Sequence, residues 1–152
     1  MNRGALAKQY FLSGHNCAQA VLLAFSDLTG LDKPTSMKLA SSFGGGMGRL
    51  REVCGAVSGM FLTLGILYGD GDVPTQENKA AHYRRVQELA AQFRNENGSI
   101  VCRELLSKVE TTTGSTPEAR TQEYYTKRPC AELCACAADI LSQLIENNPP
   151  MN

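Results

Sequence analysis

Apolar residues recur along this chain at steps of three and four, no run shows sustained alternation, and β-branched residues are scattered. That is the period of helices packed against a core. The spacing predicts a first helix over Arg3 to Leu12, stopped by Ser13-Gly14, and a second from Asn16 to Leu28, ending before Gly30. A third follows Pro34 and runs to Phe43, where Gly44-Gly45-Gly46-Met47-Gly48 breaks it. A fourth runs from Val53 to Tyr68, with Gly69 as its stop signal. Pro74 is expected to open a fifth, with Glu77 in its first turn and apolar Val86, Leu89, Ala90 and Phe93 at helical spacing, ending at Asn97-Gly98. A sixth covers Ser99 to Val109, the polar stretch Thr111 to Lys127 reads as loop or short helix, and Pro129 opens a last helix ending near Asn147. The expected fold is all-α, a single-domain bundle of about six to seven helices over residues 1–148, followed by a tail at 149–152.

Composition supports this picture and narrows the function. At 152 residues, 43% hydrophobic and 20% charged, the chain can bury a core without disulfide staples. Its 15 Lys and Arg balance 15 Asp and Glu, which argues against a nucleic-acid binder or a polybasic membrane binder. The longest apolar stretch, Met60 to Tyr68, is far short of the roughly 20 residues a bilayer span needs. Met1 to Lys8 has no apolar core of a secretory signal, so the expected location is the cytoplasm, without direct membrane insertion. Thiols there are kept reduced, so six cysteines ask for another explanation than structural disulfides.

Four of the six fall at predicted helix starts, each in a different helix: Cys17, Cys54, Cys102 and Cys130. Each also begins an apolar stripe. Cys17 leads to Ala20, Val21 and Ala24; Cys54 to Val57, Phe61 and Leu64; Cys102 to Leu105, Leu106 and Val109; Cys130 to Leu133, Ala137 and Ile140. If the helices pack side by side, several of these thiols converge. A helix N-terminus offers unpaired N–H groups and partial positive charge, both of which favour a thiolate. Arg49, Arg51, Arg103, Lys127, Arg128 and His15 lie nearby in sequence and would add to this, whereas Glu52 opposes it. Cys134 shares the face of Cys130, a spacing that suits a shared metal or core packing, and Cys136 falls off the stripe near Asp139 and Gln143.

The glycine segment matches neither GxGxxG nor GxxxxGK[ST] and follows a predicted helix, so a phosphate loop is not the reading. Gly45, Gly46 and Gly55 instead are candidates for the wall of the cysteine site, with backbone N–H groups facing a thiolate or an anionic cofactor. Gly55 and Gly59 at four-residue spacing allow close approach of another helix. Signatures of hydrolases are missing, and of the two histidines His82 reads as a surface or boundary residue.

Four ordered blocks carry a resemblance. They are Asn16-Cys17-Ala18-Gln19-Ala20-Val21, Cys54-Gly55-Ala56-Val57-Ser58-Gly59 after its glycine run, Cys102-Arg103-Glu104-Leu105-Leu106, and Arg128-Pro129-Cys130. Together they resemble the C_GCAxxG_C_C family of redox-active proteins, over nearly the whole chain. The resemblance implies redox chemistry by Cys17, Cys54, Cys102 and Cys130, and a functional link to a membrane transporter. It supplies neither a substrate nor a redox partner.

Three functions follow from the residues. The first is a thiol-based oxidoreductase that cycles between dithiol and disulfide, with Cys54 as nucleophile and its partner among Cys17, Cys102 and Cys130. The second is ligation of zinc or an iron–sulfur cluster by Cys17, Cys54, Cys102 and Cys130, against which stands the absence of CxxC pairs. The third is a helical binding or assembly module with inert buried cysteines and no cofactor. A homodimer is compatible with all three.

Overall fold

A computed structural model describes residues Met1–Met151. Its helices are α1 (Arg3–Leu12), α2 (Cys17–Leu23), α3 (Ser26–Thr29), α4 (Lys33–Ala40), the single turn α5 (Gly44–Met47), α6 (Gly55–Tyr68), α7 (Gln76–Asn97), α8 (Cys102–Leu105), α9 (Gln122–Lys127) and α10 (Cys130–Asn147). A 3₁₀ turn, Ser41–Phe43, joins α4 to α5. The fold is all-α in a single compact domain, with no strand among the described residues. No described helix is long and apolar enough to cross a membrane.

The amphipathic α10 is the spine. Leu133, Cys134, Ala137, Ala138, Ile140 and Leu141 bury one side of it, and α1 packs along it through Ala7 and Phe11. The second layer is α2 against α6. Because α6 is apolar nearly all round, it must be covered on several sides, and it is, by α2, α7 and α10. Its glycines set the distance to α2. A Cβ on Gly59 would lie 2.6 Å from the Ala18 carbonyl oxygen, and one on Gly55 would lie 2.9 Å from Cβ of Cys17. The small residues bring α6 against the helix that carries Cys17.

Several element boundaries differ from expectation for identifiable reasons. The second predicted helix stops at Leu23, because the Ala24 carbonyl accepts from Arg3 Nη1 (2.8 Å) and the chain turns to bury Phe25 beneath that guanidinium. Pro74 precedes α7 instead of opening it; Thr75 is the cap, accepting from the Asn78 N–H. The predicted sixth helix is a single turn. Val101 is extended ahead of it, and after Leu105 the chain tightens into i→i+3 bonds from Ser107 and Val109. The threonine run that follows is poor helix material.

One short pairing lies outside the helical pattern. Val53 and Val101 form an isolated antiparallel bridge, and on either side of it Cys54 N–H donates to the Ile100 carbonyl (2.8 Å) and Cys102 N–H to the Glu52 carbonyl (2.6 Å). The starts of α6 and α8 are thereby fastened together.

Replacing Gly59 by Ala forces the α2–α6 contact apart and is expected to cost about 1–3 kcal/mol. Gly65→Ala, where a Cβ meets nothing within 4 Å, should be neutral or stabilising by up to about 1 kcal/mol. Thermal melts of the two variants check this, and equal melting temperatures would contradict the close-packing account.

Candidate functional site

The four helix-start cysteines line one cavity of about 280 Å³. Asn16 caps α2 with a reciprocal capping box to Gln19, which fixes Cys17 as the first helical residue. Cys54 is the N-cap of α6, and the bridge holds it beside Cys102 at the start of α8. Cys130 follows Pro129 at the start of α10. Gly45, Gly46 and Gly55 line the same space. A Cβ on Gly46 would lie 2.6 Å from Cβ of Cys102, so only glycine lets this loop close over that thiol.

The other two cysteines stand apart. Cys134 is fully buried behind the cavity, its Sγ 3.8 Å from the Cys17 carbonyl oxygen. Cys136 faces Glu96 (2.8 Å) and Asn97 (3.4 Å) on α7, away from the site. All six cysteines are free. The thiols of Cys17, Cys130 and Cys134 lie near enough to shift one another's titration.

The expected acidity of these thiols is overturned by burial. Cys54 does gain the N–H groups of Ala56 and Val57 at its helix start, yet loss of solvent pushes it up to about 12. Burial also raises Cys102 against the opposing pull of Arg51. Cys130 is raised first by its interaction with the Cys17 thiol, then by burial. Cys17 is favoured as an anion by the neighbouring Cys130, but Cys134 and burial leave it raised as well. At Cys54 the helix-start effect is present and smaller than the desolvation cost.

The cationic neighbours also redistribute. Arg51 Nη1 lies 3.8 Å from the sulfur of Cys102, across the bridge from Cys54. Arg103 turns outward to Glu52 (2.8 Å), and Lys127 to Glu123 (2.7 Å). The His15 ring contacts Tyr10, through its Nδ1 at 2.9 Å from the Tyr10 carbonyl oxygen, and not Cys17. His82 is half-buried on α7, far along the chain from the cavity lining.

The stretch read as loop or short helix supplies residues the sequence did not single out. Glu118 Oε1 gathers Arg49 (3.0 Å), Arg51 (3.3 Å) and Arg128 (3.0 Å), and accepts from the Thr112 N–H (3.0 Å). Although partial burial opposes it, the Thr112 and Glu118 N–H groups, the Thr112 hydroxyl and Arg128 hold this carboxyl down to about 2. Arg120 donates to the carbonyls of Phe11 (3.1 Å) and His15 (3.0 Å) and lies over the rings of Phe11, Tyr124 and Tyr125. The signal that could have marked this segment is the cluster Arg120, Tyr124, Tyr125, which is out of keeping with a fully solvated loop.

Arg49 and Arg51 reach inward because of the backbone. Gly45, Gly46, Met47, Gly48, Arg49 and Arg51 all have φ between 59° and 72°. For the non-glycine members this costs roughly 1 kcal/mol or more each, strain that persists only where surrounding contacts over-determine it. Here the holding bonds are Arg51 N–H to the Gly45 carbonyl (3.2 Å) and Glu52 N–H to the Gly46 carbonyl (2.9 Å).

A family model described as C_GCAxxG_C_C, "Putative redox-active protein", matches residues 15–144. No curated protein and no solved structure matches the chain.

Removing the shared carboxylate by Glu118→Gln leaves three inward-facing guanidiniums without their anion and should destabilise by about 3–5 kcal/mol. A denaturant melt reads this, and a loss below about 1 kcal/mol would show that the hub contributes little. The raised thiols make a second, opposite prediction. A thiol that titrates higher when folded stabilises the fold below its unfolded value and loses that contribution as pH climbs through the folded one. Melting temperature should therefore fall between pH 9 and about 12, and less steeply in Cys54→Ala. Parallel slopes for wild type and variant would contradict this.

Proposed function

Since the chain belongs to the C_GCAxxG_C_C family of redox-active proteins, we propose that it exchanges thiols for a disulfide, with Cys17 as nucleophile and Cys130 as resolving thiol. The observation that carries this reading is the nearness of these two thiols, each of which shifts the other's titration, at the wall of one cavity. Cys17 is the one cavity cysteine that is part-exposed as a residue, although its thiol is itself enclosed, and the neighbouring Cys130 favours its anion. Cys54, the candidate from sequence, is a buried residue beside Cys102; its thiol is raised as that of Cys17 is, so the choice of Cys17 rests on the exposure of the residue and its pairing with Cys130, not on acidity.

The exchange needs an oxidant, and a disulfide R–S–S–R supplies it. The Cys17 thiolate attacks one sulfur, forming a mixed disulfide and releasing R–S⁻. Cys130 then attacks the Cys17 sulfur, the protein disulfide forms and the second R–S⁻ leaves. The two protons of the original thiols go to the two leaving thiolates. Two electrons pass from protein to substrate, and the reverse sequence regenerates the dithiol. Cys134, in contact with Cys17 but off the cavity, would share the proton without meeting substrate.

Ligation of zinc or an iron–sulfur cluster by Cys17, Cys54, Cys102 and Cys130 has less behind it. Among the described residues no three His, Cys, Asp or Glu side chains are grouped to hold a metal ion.

The test is anaerobic equilibration with glutathione and dithiothreitol buffers across biological potentials, followed by alkylation and peptide mapping. Two thiols should disappear as a unit and map to Cys17–Cys130. Cys17→Ser and Cys130→Ser should each abolish the loss, and Cys136→Ser should leave it intact. Six free thiols at every potential would overturn the reading. So would stoichiometric zinc or a cluster chromophore bound through the four cysteines.

A further inference from the structure

The cavity holds more positive charge than its one carboxylate balances. Arg49, Arg51, Arg120 and Arg128 line it, and Glu118 is the single acidic residue among them. Two of these arginines are fully engaged in building the wall. Arg49 grips the Thr112 and Gly114 carbonyls as well as Glu118, and Arg120 grips Phe11 and His15.

The other two are not. Arg51 Nε is buried with no hydrogen-bond partner, and its Nη1 has only the distant sulfur of Cys102. The Arg128 side chain is 5% exposed, lies over the Tyr124 ring at 4.6 Å, and among the described residues has Glu118 as its one anionic partner, through Nη2. Two guanidiniums share one carboxylate oxygen that Arg49 also occupies, which leaves surplus charge in a sheltered place. Sheltered cations are costly unless an anion meets them.

The remaining walls say what kind of anion fits. Phe11, Leu105, Leu106 and Leu133 give the cavity an apolar side, and its volume of about 280 Å³ suits a small organic molecule more than a bare inorganic ion. Thiols stand on the same surface, and what thiols attack is an electrophilic sulfur.

We infer that the cavity is a substrate pocket for a small organic disulfide bearing carboxylate groups, held by Arg51 and Arg128 with its S–S bond presented to Cys17 and Cys130. The inference rests on the thiol–disulfide reading and names its substrate class. The chemistry is that exchange with R carrying the carboxylate: one substrate S–S bond breaks, one protein S–S bond forms, and two carboxylate-bearing thiols leave with the two protons. The arginines bind the carboxylates, which take no part in the electron transfer.

Three small disulfides of different charge test this against the reduced wild-type protein: dithiodiglycolate (anionic), bis(2-hydroxyethyl) disulfide (neutral) and cystamine (cationic). Each oxidation rate is divided by the rate of the same reagent with free 2-mercaptoethanol, which removes intrinsic reactivity. The anionic reagent should lead the neutral one by about tenfold or more, with the cationic one slowest and the advantage shrinking in high salt. Arg51→Gln and Arg128→Gln should each reduce the preference, and Arg128→Lys should retain part of it. Equal normalised rates in the wild type would overturn the inference and leave the redox reading standing. If none of the three oxidises the protein, the redox reading itself fails. Thiodiglycolate, a thioether that cannot exchange, then tests the pocket alone by calorimetry. Saturable binding weakened in Arg128→Gln supports an anion pocket, and no binding removes it.

Discussion

Three backbone hydrogen bonds decide where the site lies. Cys54 donates to Ile100, Cys102 to Glu52, and Arg103 to Arg51, at 2.8, 2.6 and 3.2 Å. Without this pairing, α6 and α8 would be two helix starts separated along the chain, with no reason to share a surface. With it, two thiols are pinned side by side, and the segment Gly45–Arg51, left-handed at every residue but Leu50, is anchored at its far end. That segment can then hold its strained backbone and turn Arg49 and Arg51 inward, where Glu118 ties them to Arg128. Cys17 and Cys130 reach the same place by a different route, through the packing of α2 on α6 and of α10 on both.

The site combines two opposing effects. Burial raises every cavity thiol, while helix-start N–H groups at Cys54, arginines at Cys102 and Cys130, and the neighbouring Cys130 at Cys17 pull the other way. Burial prevails, so the resting thiols hold their protons at neutral pH. A sheltered thiol of this kind does not react with whatever passes by. It reacts when a neighbour supplies or accepts a proton, a part that Cys130 and Cys134 would take beside Cys17 under the proposed exchange, or when a bound substrate changes its surroundings. Selectivity then comes from the walls of the cavity more than from the acidity of any one sulfur.

Much of this was legible in the sequence, unevenly. The long helices are set by apolar periodicity, and α1 and α10 fall where that period places them, with the same rule putting four cysteines at inward-facing helix starts. The bridge at Val53 and Val101 was invisible because a single residue pair has no period to read. Glu118 and Arg120 were invisible for another reason. Their importance comes from what they meet, and their partners Arg49, Arg51, Phe11 and His15 lie far away in the chain. The acidity expected of helix-start thiols failed because a position along a helix says nothing about how much protein covers it.

The proposed exchange requires Cys17 and Cys130, distant in sequence, to form one dithiol in the folded reduced protein. A trivalent arsenical tests it most directly, since one arsenic is retained only by two thiols within bonding reach of each other. Treating the native protein with phenylarsine oxide and mapping the adduct should yield a single arsenic bridging the peptides of Cys17 and Cys130. No retained arsenic, or a bridge that omits both residues, would contradict the account.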